Sequence, residues 1–222
     1  MRLVLVRHGL TLWNLEGRIH GKADIGLSDK GLEQAKQIAE IISMEKPSKI
    51  FSSPLRRAFT TAEIISKKFG LPVEKRDELV EINYGVFEGK TFAELRGEGE
   101  LARIWTERKQ DKYHFKPKGG ESFEEMNNNR IRPFVHELLH KFEDKTAIVV
   151  AHSGVNRLIA GNCLGLSPDK MVDIWQPNEV VYFLECRFAH CNYSYQSIDW
   201  EKPKIGYLTT KDIKAWEARS SP

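Results

Sequence analysis

Polar side chains that could carry chemistry follow three short apolar stretches of the chain. Arg7 and His8 follow the first stretch, His152 follows another, and Arg57 comes soon after a third. Two guanidinium groups repel each other unless an anion lies between them, and their planar N–H pairs match the oxygens of a phosphate group. The sequence therefore predicts a pocket for a dianionic tetrahedral group.

Such a pocket would have a defined chemistry. A neutral imidazole next to the bound phosphorus is a competent nucleophile, because histidine forms covalent phospho intermediates. Phosphoryl transfer depends mainly on positioning and on neutralising the phosphoryl oxygens, which fixed cations can do without a metal ion. A carboxyl group whose pKa is raised by burial could protonate the leaving oxygen and then deprotonate the attacking water.

The elements that must position these groups alternate between strands and helices. The apolar pattern predicts strands at 2–6, 49–52, 146–151, 180–185 and 193–198, with a short extended piece at 71–74. Helices are predicted from an N-cap at Ser28 to about 44, from Ser53-Pro54 to Gly70, over 122–142 with a kink at Pro133, over 155–164, and over 212–219. Residues 10–27 are predicted to form a polar loop, and 90–120 an irregular or weakly helical segment.

This alternation predicts an α/β fold, a three-layer sandwich in which a mainly parallel sheet carries helices on both faces. The polar residues after each strand would then lie at one edge of the sheet, where ligands bind in such folds. Residues 1–222 are predicted to form a single domain, since no linker or internal repeat divides them. Residues 200–222 would form a C-terminal tail.

Composition narrows the class of protein. Hydrophobic residues make up 41% and charged residues 29%, as in ordinary soluble domains, and the net charge of +3 favours neither nucleic acid nor membrane as a partner. No apolar stretch approaches the length of a membrane span and no signal-peptide pattern is present, so a cytoplasmic protein is expected. Three cysteines without a CxxC pair predict reduced thiols, no disulfide framework and no zinc site.

Five short motifs occur in order along residues 2–165. They are Arg7-His8-Gly9-Leu10-Thr11-Leu12-Trp13-Asn14, Ser52-Ser53-Pro54-Leu55-Arg56-Arg57-Ala58, Glu81-Ile82-Asn83-Tyr84-Gly85-Val86-Phe87-Glu88-Gly89-Lys90, Gly119-Gly120-Glu121-Ser122 and Ala151-His152-Ser153-Gly154-Val155-Asn156-Arg157. Together they resemble the histidine phosphatase (phosphoglycerate mutase-like) superfamily, which implies a phosphoglycerate mutase-like fold.

The resemblance implies a role for each matching residue. His8 would be the nucleophile that becomes phosphohistidine, held by a hydrogen bond from its ring to the backbone, and Glu81 would be the general acid and then the base. The phosphoryl oxygens would be bound by Arg7, Arg57 and His152, with help from Asn14 and the backbone N–H of Ser153. Further substrate contacts are expected from Thr11, His20, Tyr84 and Trp105. Leu10 departs from the Glu or Gln that is frequent there, and we expect it to alter the pocket rim.

The resemblance favours one function and leaves others open. The favoured one is a metal-independent phosphomonoesterase that acts on a small metabolite such as α-ribazole phosphate or another sugar, nucleoside or amino-acid phosphate. A cofactor-dependent phosphoglycerate mutase is the alternative, but mutases resemble Glu-Arg-His-Tyr-Gly where this chain has Glu81-Ile82-Asn83-Tyr84-Gly85. A non-catalytic phosphate-binding module is a third option, although a pure binder needs neither a nucleophile nor an acid.

Residues 83–120, here termed the lid segment, are predicted to cover the site. Its part 103–118 mixes Trp105 and Tyr113 with several basic residues, which also suggests a nucleic-acid surface, but basic runs are more often solvated faces. We therefore expect Trp105 and Tyr113 to select the organic part of a small phosphate ester. His136 and His140 have helical spacing but no placeable carboxylate, so neither metal nor cofactor is expected; a homodimer is left open.

Overall fold

Seven strands form one mixed sheet in the computed structural model, which describes residues 1–187, 190–199, 204–209 and 212. The strands are β1 (Arg2–Arg7), β2 (Pro47–Ser52), β3 (Val73–Lys75), β4 (Thr146–Ala151), β5 (Val180–Arg187), β6 (His190–Ser197) and β7 (Lys204–Ile205). Their order is β3-β2-β4-β1-β5-β6-β7. The pairs from β3 to β1 are parallel, and those from β1 to β7 are antiparallel.

Nine α-helices are found among the described residues, and some of them connect the parallel strands. They are α1 (Leu12–Leu15), α2 (Asp29–Ile41), α3 (Arg56–Phe69), α4 (Phe92–Arg96), α5 (Glu100–Glu107), α6 (Phe123–Met126), α7 (Arg132–Lys141), α8 (Ser153–Cys163) and α9 (Pro168–Asp173). Single 3₁₀ turns lie at Asp77–Leu79 and Gly85–Phe87, and a π turn joins α6 to α7 at Asn127–Ile131. None of the described helices is long and apolar enough to cross a membrane.

Alternate residues of β1 point to opposite faces of the sheet. Val4 and Val6 lie in one buried cluster with residues of α2 and α3, whereas Leu3 and Leu5 lie in another with residues of α7 and α8. A strand buried on both faces is apolar at every position, which is why this stretch lacks the alternation of a half-exposed strand. The predicted three-layer sandwich is confirmed.

The start of α3 differs from the prediction. Ser53 and Pro54 lie outside the helix, which begins at Arg56. The Ser53 hydroxyl is bonded instead to His152 Nε2 at 2.8 Å. The Arg56 N–H donates to Asp24 Oδ1 at 2.7 Å, so a carboxylate from the loop after α1 satisfies the first turn of the helix.

The other helices lie close to their predicted places. Ser28 caps α2 by accepting the N–H of Gly31 at 3.2 Å. The predicted helix over 122–142 is one run of α6, the π turn and α7, and the π turn lies just before Pro133. Proline has no N–H and its ring clashes with the carbonyl four residues earlier, so the helix widens there. The segment over 90–120 is more regular than predicted, because it contains α4 and α5.

One prediction about the cysteines is wrong. Cys186 and Cys191 form a disulfide between β5 and β6, where they are directly opposite each other in register. Antiparallel pairing brings such residues within bonding distance, a proximity that counting cysteines does not reveal. Cys163 is a free, buried thiol. The predicted helix over 212–219 lies outside the described residues except for Asp212, and the 200–222 tail is described only at 204–209 and Asp212.

Candidate active site

A cavity of about 370 Å³ opens beyond the carboxyl ends of β1 and β4. Arg7, His8, Glu81 and Ser153 line its inner part. The outer wall is formed by residues of the α1 region, the lid segment and α8, among them Asn14, Arg18, His20, Tyr84, Trp105, Arg108, Lys112 and Arg157. Glu81 is the single carboxylate among the described lining residues, so the cavity is strongly cationic.

The His8 ring is held in one tautomer. Its Nδ1 lies 2.8 Å from the carbonyl oxygen of Gly9, and because a carbonyl only accepts, Nδ1 carries the proton and donates it. Burial lowers the pKa of His8 well below its ordinary value, and the charges of Arg57 and Arg7 lower that pKa further. The neutral ring therefore keeps the lone pair of Nε2 free for a ligand.

The backbone of His8 is fixed as firmly as its ring. Its N–H donates to the Ala151 carbonyl at 3.0 Å, and its own carbonyl accepts the side-chain amide of Asn178 at 2.6 Å. Gly9 continues the chain past the first turn of α2, where a Cβ would lie 2.3 Å from the Gly31 carbonyl oxygen. The turn after β1 therefore requires glycine at position 9.

His152 adjoins His8, with ring centroids 5.2 Å apart. Its pKa is lowered well below the ordinary value, first by burial and then by the charge of Arg57. Three buried nitrogens in this region have no hydrogen-bond partner within the described part of the chain: Nδ1 of His152, Nε of Arg7 and Nε of Arg57. Unsatisfied buried polar groups are rare, and the two arginine Nε–H donors near the neutral His8 ring suit an oxyanion.

The two arginines are anchored through their terminal nitrogens. Arg57 is completely buried and donates to the carbonyls of Gly21 at 2.9 Å and Ala23 at 2.6 Å. Burial lowers its pKa to about 10, so it remains a cation at neutral pH. Arg7 donates to the Gln176 carbonyl at 2.9 Å, and burial lowers its pKa as well. Carbonyls orient these cations without neutralising them, which leaves their charge for a ligand.

Glu81 is held by backbone N–H groups rather than by a cation. Its Oε1 accepts from Ile82 at 3.0 Å and its Oε2 from Gly154, in the first turn of α8, at 3.2 Å. A Cβ at position 154 would lie 2.4 Å from Glu81 Oε1, so the approach of the carboxylate depends on that glycine. The carboxylate thus lies at the cavity wall, 8% exposed, within the field of both arginines.

Other predicted contacts fall into two groups. Asn14, Ser153, His20, Tyr84 and Trp105 line the cavity. Thr11 and Leu10 do not. Thr11 is completely buried, and its hydroxyl bonds to Asn14 and, at 2.5 Å, to Nε2 of His20. Leu10 contacts α2 through its backbone, with its N–H donating to Gln34. Leu10 is thus placed next to α2 and not in the cavity lining, and its expected effect on the rim stays a prediction.

Tyr113 also differs from the expectation for the lid segment. It is buried in the core cluster beneath α6, and its hydroxyl accepts a hydrogen bond from Asn127 at 2.9 Å. It does not line the cavity around His8, whereas Trp105 does. Of the two aromatic residues expected to select the substrate, Trp105 alone is in contact with this cavity.

Sequence reasoning missed two sets of residues. The first is a buried amide network: Asn156 bonds to the Val6 carbonyl and to Gln176, and Gln176 bonds to the carbonyls of Leu5 and Val180. Buried amides give no periodic signal, so only the fold reveals them.

The second set is a group of cations on the outer wall, Arg108, Lys112 and Arg157. The Arg108 guanidinium lies 4.3 Å from the Trp105 ring, and Arg157 bonds to Ser153 and to the Val172 carbonyl. Burial lowers the pKa of Lys112, and the charge of Arg157 lowers it further. Their basic character was visible in the sequence, but their convergence depends on how the lid segment packs.

Comparisons with known proteins agree with this geometry. Residues 3–198 match the model of the histidine phosphatase superfamily (branch 1). The chain is 35% identical to phosphoserine phosphatase 1 of Hydrogenobacter thermophilus over 77% of this chain and 79% of that protein. It is 36% identical to a glucosyl-3-phosphoglycerate phosphatase of Mycolicibacterium vanbaalenii over 76% of each chain.

A solved structure supports the same assignment. The mycobacterial glucosyl-3-phosphoglycerate phosphatase in complex with VO3 superposes with a TM-score of 0.75 at 27% identity, covering 94% of this chain and 98% of that one. The sheet order and the cavity described above thus occur in a chain that is similar to these named phosphatases. The protein belongs to the histidine phosphatase superfamily, branch 1, and is a phosphatase.

Proposed function

We propose that the protein is a metal-independent phosphomonoesterase that works through a phosphohistidine at His8. The observation that carries the proposal is a neutral His8 ring, with Nε2 unprotonated, near buried nitrogens of Arg7, Arg57 and His152 that have no partner in the described residues; the two arginine Nε–H groups are donors. A phosphoryl dianion would satisfy those donors and would offset the like charges of the arginines.

The residues divide the reaction into two balanced steps. Nε2 of His8 attacks phosphorus as the bond to the ester oxygen breaks, and Glu81 gives its proton to the leaving alcohol. Glu81 then takes a proton from water, whose oxygen attacks the phosphohistidine and releases inorganic phosphate. In both steps Arg7, Arg57 and His152 bind the phosphoryl oxygens, with Asn14 and Ser153 at the cavity wall. Thr11 acts indirectly, because it positions Asn14 and His20.

We further propose that the lid segment reads a second anionic group of the substrate. Arg108, Lys112 and Arg157 line the cavity, and none of them is assigned above to the phosphoryl group. A carboxylate or second phosphate there would relieve the repulsion that these cations exert on one another. Phosphoserine and glucosyl-3-phosphoglycerate, in the names of two relatives, both carry a carboxylate. An amino-acid or sugar-acid phosphate is therefore a better candidate than α-ribazole phosphate alone.

The experiment that tests the reaction is rapid quench with a ³²P-labelled phosphate ester, followed by separation under alkaline conditions, which preserve phosphohistidine. We expect an acid-labile adduct on His8, no adduct in His8→Ala, and an unchanged adduct in the control His136→Ala, which alters an exposed histidine elsewhere. Turnover without any adduct would contradict the phosphohistidine. Loss of activity with a chelator would contradict metal independence.

The same preparation separates the alternative functions. With 3-phosphoglycerate and a bisphosphate primer, isomerisation faster than phosphate release would indicate a mutase, a function the comparisons do not favour. Phosphate binding without hydrolysis of any ester, unchanged by His8→Ala, would indicate a non-catalytic module.

A further inference from the structure

The three cysteines of the chain meet at the end of the sheet opposite the cavity around His8. The sulfur atoms of Cys163, Cys186 and Cys191 all lie within 4.8 Å of one another. The N–H of Cys186 donates to the Met1 carbonyl at 2.8 Å, and Met1 precedes β1, so the cluster lies at the amino end of that strand. A six-residue strand spans about 20 Å, which separates this cluster from His8.

Three different elements supply the sulfur atoms. Cys163 is the last residue of α8, Cys186 is near the end of β5, and Cys191 is near the start of β6. Cys186 and Cys191, which follow Cys163 by 23 and 28 positions, thus come together with it in the fold. Within the described ranges, this is the one group of three or more metal-type ligands whose donor atoms lie so close together.

The cluster is accessible to a small ion. A cavity of about 740 Å³ is lined by all three cysteines together with the acidic Glu143 and Asp144. Arg187 also lines it and would balance part of the negative charge that thiolates bring. The sulfur atoms therefore lie at a cavity wall, where an ion can reach them without unfolding the core.

We propose that, once the disulfide is reduced, these three sulfur atoms bind one thiophilic divalent cation of the Zn²⁺ type. A dithiol reductant supplies two electrons and two protons, which convert the Cys186–Cys191 bond to two thiols while the dithiol becomes a disulfide. The cation then displaces the thiol protons as each S–metal bond forms. Soft sulfur ligands select such a cation over Mg²⁺ or Ca²⁺.

The spacing suits this ligand set. With Zn–S bonds of about 2.3 Å, two sulfur atoms on a tetrahedral zinc lie about 3.8 Å apart. Cys163 is already within about 1 Å of that separation from either partner, and the two reduced thiols would move apart to it. A water molecule from the neighbouring cavity would complete the coordination. Binding would tie the end of α8 to the β5–β6 hairpin.

Cobalt titration tests this without relying on enzyme activity. The intact chain is reduced with a phosphine, desalted without oxygen and titrated with Co²⁺, and thiolate-to-cobalt charge transfer is followed in the near ultraviolet. We expect saturation at one equivalent, displacement by Zn²⁺, and no charge-transfer band in the oxidised protein. Cys163→Ser should weaken Co²⁺ binding more than about 10-fold, whereas the cavity control Glu143→Gln should change it little.

Two results would overturn the proposal. One is the absence of a saturable charge-transfer band in the reduced protein. The other is a band that Cys163→Ser leaves unchanged, which would restrict any site to the hairpin. If Cys163→Ser does not fold, as judged by circular dichroism, Cys163→Ala gives the same discrimination, because it removes the same sulfur without placing a hydroxyl at this buried position. Phosphatase turnover in the same samples tests the function separately, since none of the cysteines belongs to the cavity around His8.

Discussion

The inner and outer walls of the active-site cavity are built in different ways. His8 and Glu81 on the inner side, and Arg57, which is buried and does not itself line the cavity, are bonded to backbone groups. On the outer side, Arg108 and Trp105 are positioned by stacking within the lid segment. Backbone contacts at a sheet edge do not depend on which side chains surround them, whereas a stacked rim changes with each substitution. We therefore propose that the fold determines the chemistry and that the lid segment determines substrate choice.

The largest effect should come from the inner wall. Glu81→Gln removes the proton donor while keeping its size, so we expect kcat for an alkyl phosphate to fall about 10²- to 10⁴-fold. The loss should be much smaller for nitrophenyl phosphate, whose leaving group needs no proton. Steady-state kinetics with both esters checks this, with Glu124→Gln, an altered carboxylate outside the cavity, as the control. Equal losses for both esters would contradict the role of Glu81 as an acid.

The outer wall should affect selectivity more than chemistry. Lys112→Met removes one of three clustered cations, and we expect kcat/KM for a carboxylate-bearing phosphate ester to fall about 10-fold or more relative to a neutral ester of the same size. Lys109→Met, an exposed lysine of the same segment that does not line this cavity, should leave the ratio unchanged. A uniform loss on both esters would remove the argument for a second anionic group.

Trp105 and Tyr113 offer a finer test, because the sequence assigns them the same task. Trp105→Phe replaces the indole that packs against Arg108 with a smaller phenyl ring. KM should then rise about 2- to 5-fold, as expected for a weakened cation–π contact. Tyr113→Phe loses the hydrogen bond to Asn127, so the free energy of unfolding should fall by about 1 kcal/mol. Its substrate profile should stay unchanged. A shift in that profile would mean that the core beneath α6 also shapes the rim.

The smallest effect concerns His20. Burial and the charges of Arg57 and Arg7 lower its pKa to about 3, so the unfolded chain binds a proton near pH 6.5 that the folded chain does not. The free energy of unfolding should therefore fall as pH drops below 6.5. Urea titrations at pH 7.0 and 5.5 should show that His20→Gln removes about 1 kcal/mol of this difference. An unchanged difference would indicate that His20 protonates in the folded state.

A structural feature can be predicted from the sequence when neighbouring residues determine it, and less well when distant residues do. Apolar runs such as 146–151 and the cap at Ser28 are local, and both are found where predicted. The start of α3 was misplaced because its first turn is satisfied by Asp24, a residue about thirty positions away. The inner-wall residues could be named because motifs mark them, although their reactive roles remain predictions.

The remaining differences all depend on tertiary packing. Thr11 lies within the first motif, where a substrate contact is expected, yet it is buried and bonds to Asn14 and His20 instead. Tyr113 belongs to the aromatic and basic stretch that was expected to form the rim, yet its side chain lies in the core. The disulfide arises from strand register, which a cysteine count cannot supply. In each case the deciding contact is set by how the elements pack, and it leaves no periodic pattern in the sequence.

Three hydrogen bonds hold His8 in place, and this bears on the entropy of activation at the site. Its ring, its amide and its carbonyl each have a bonded partner, so the imidazole keeps one orientation before any ligand arrives. The rotational entropy of the reacting group is thus lost during folding, once, and not at every encounter with a substrate. Asn178, which does not line the cavity, would contribute to turnover by holding that orientation.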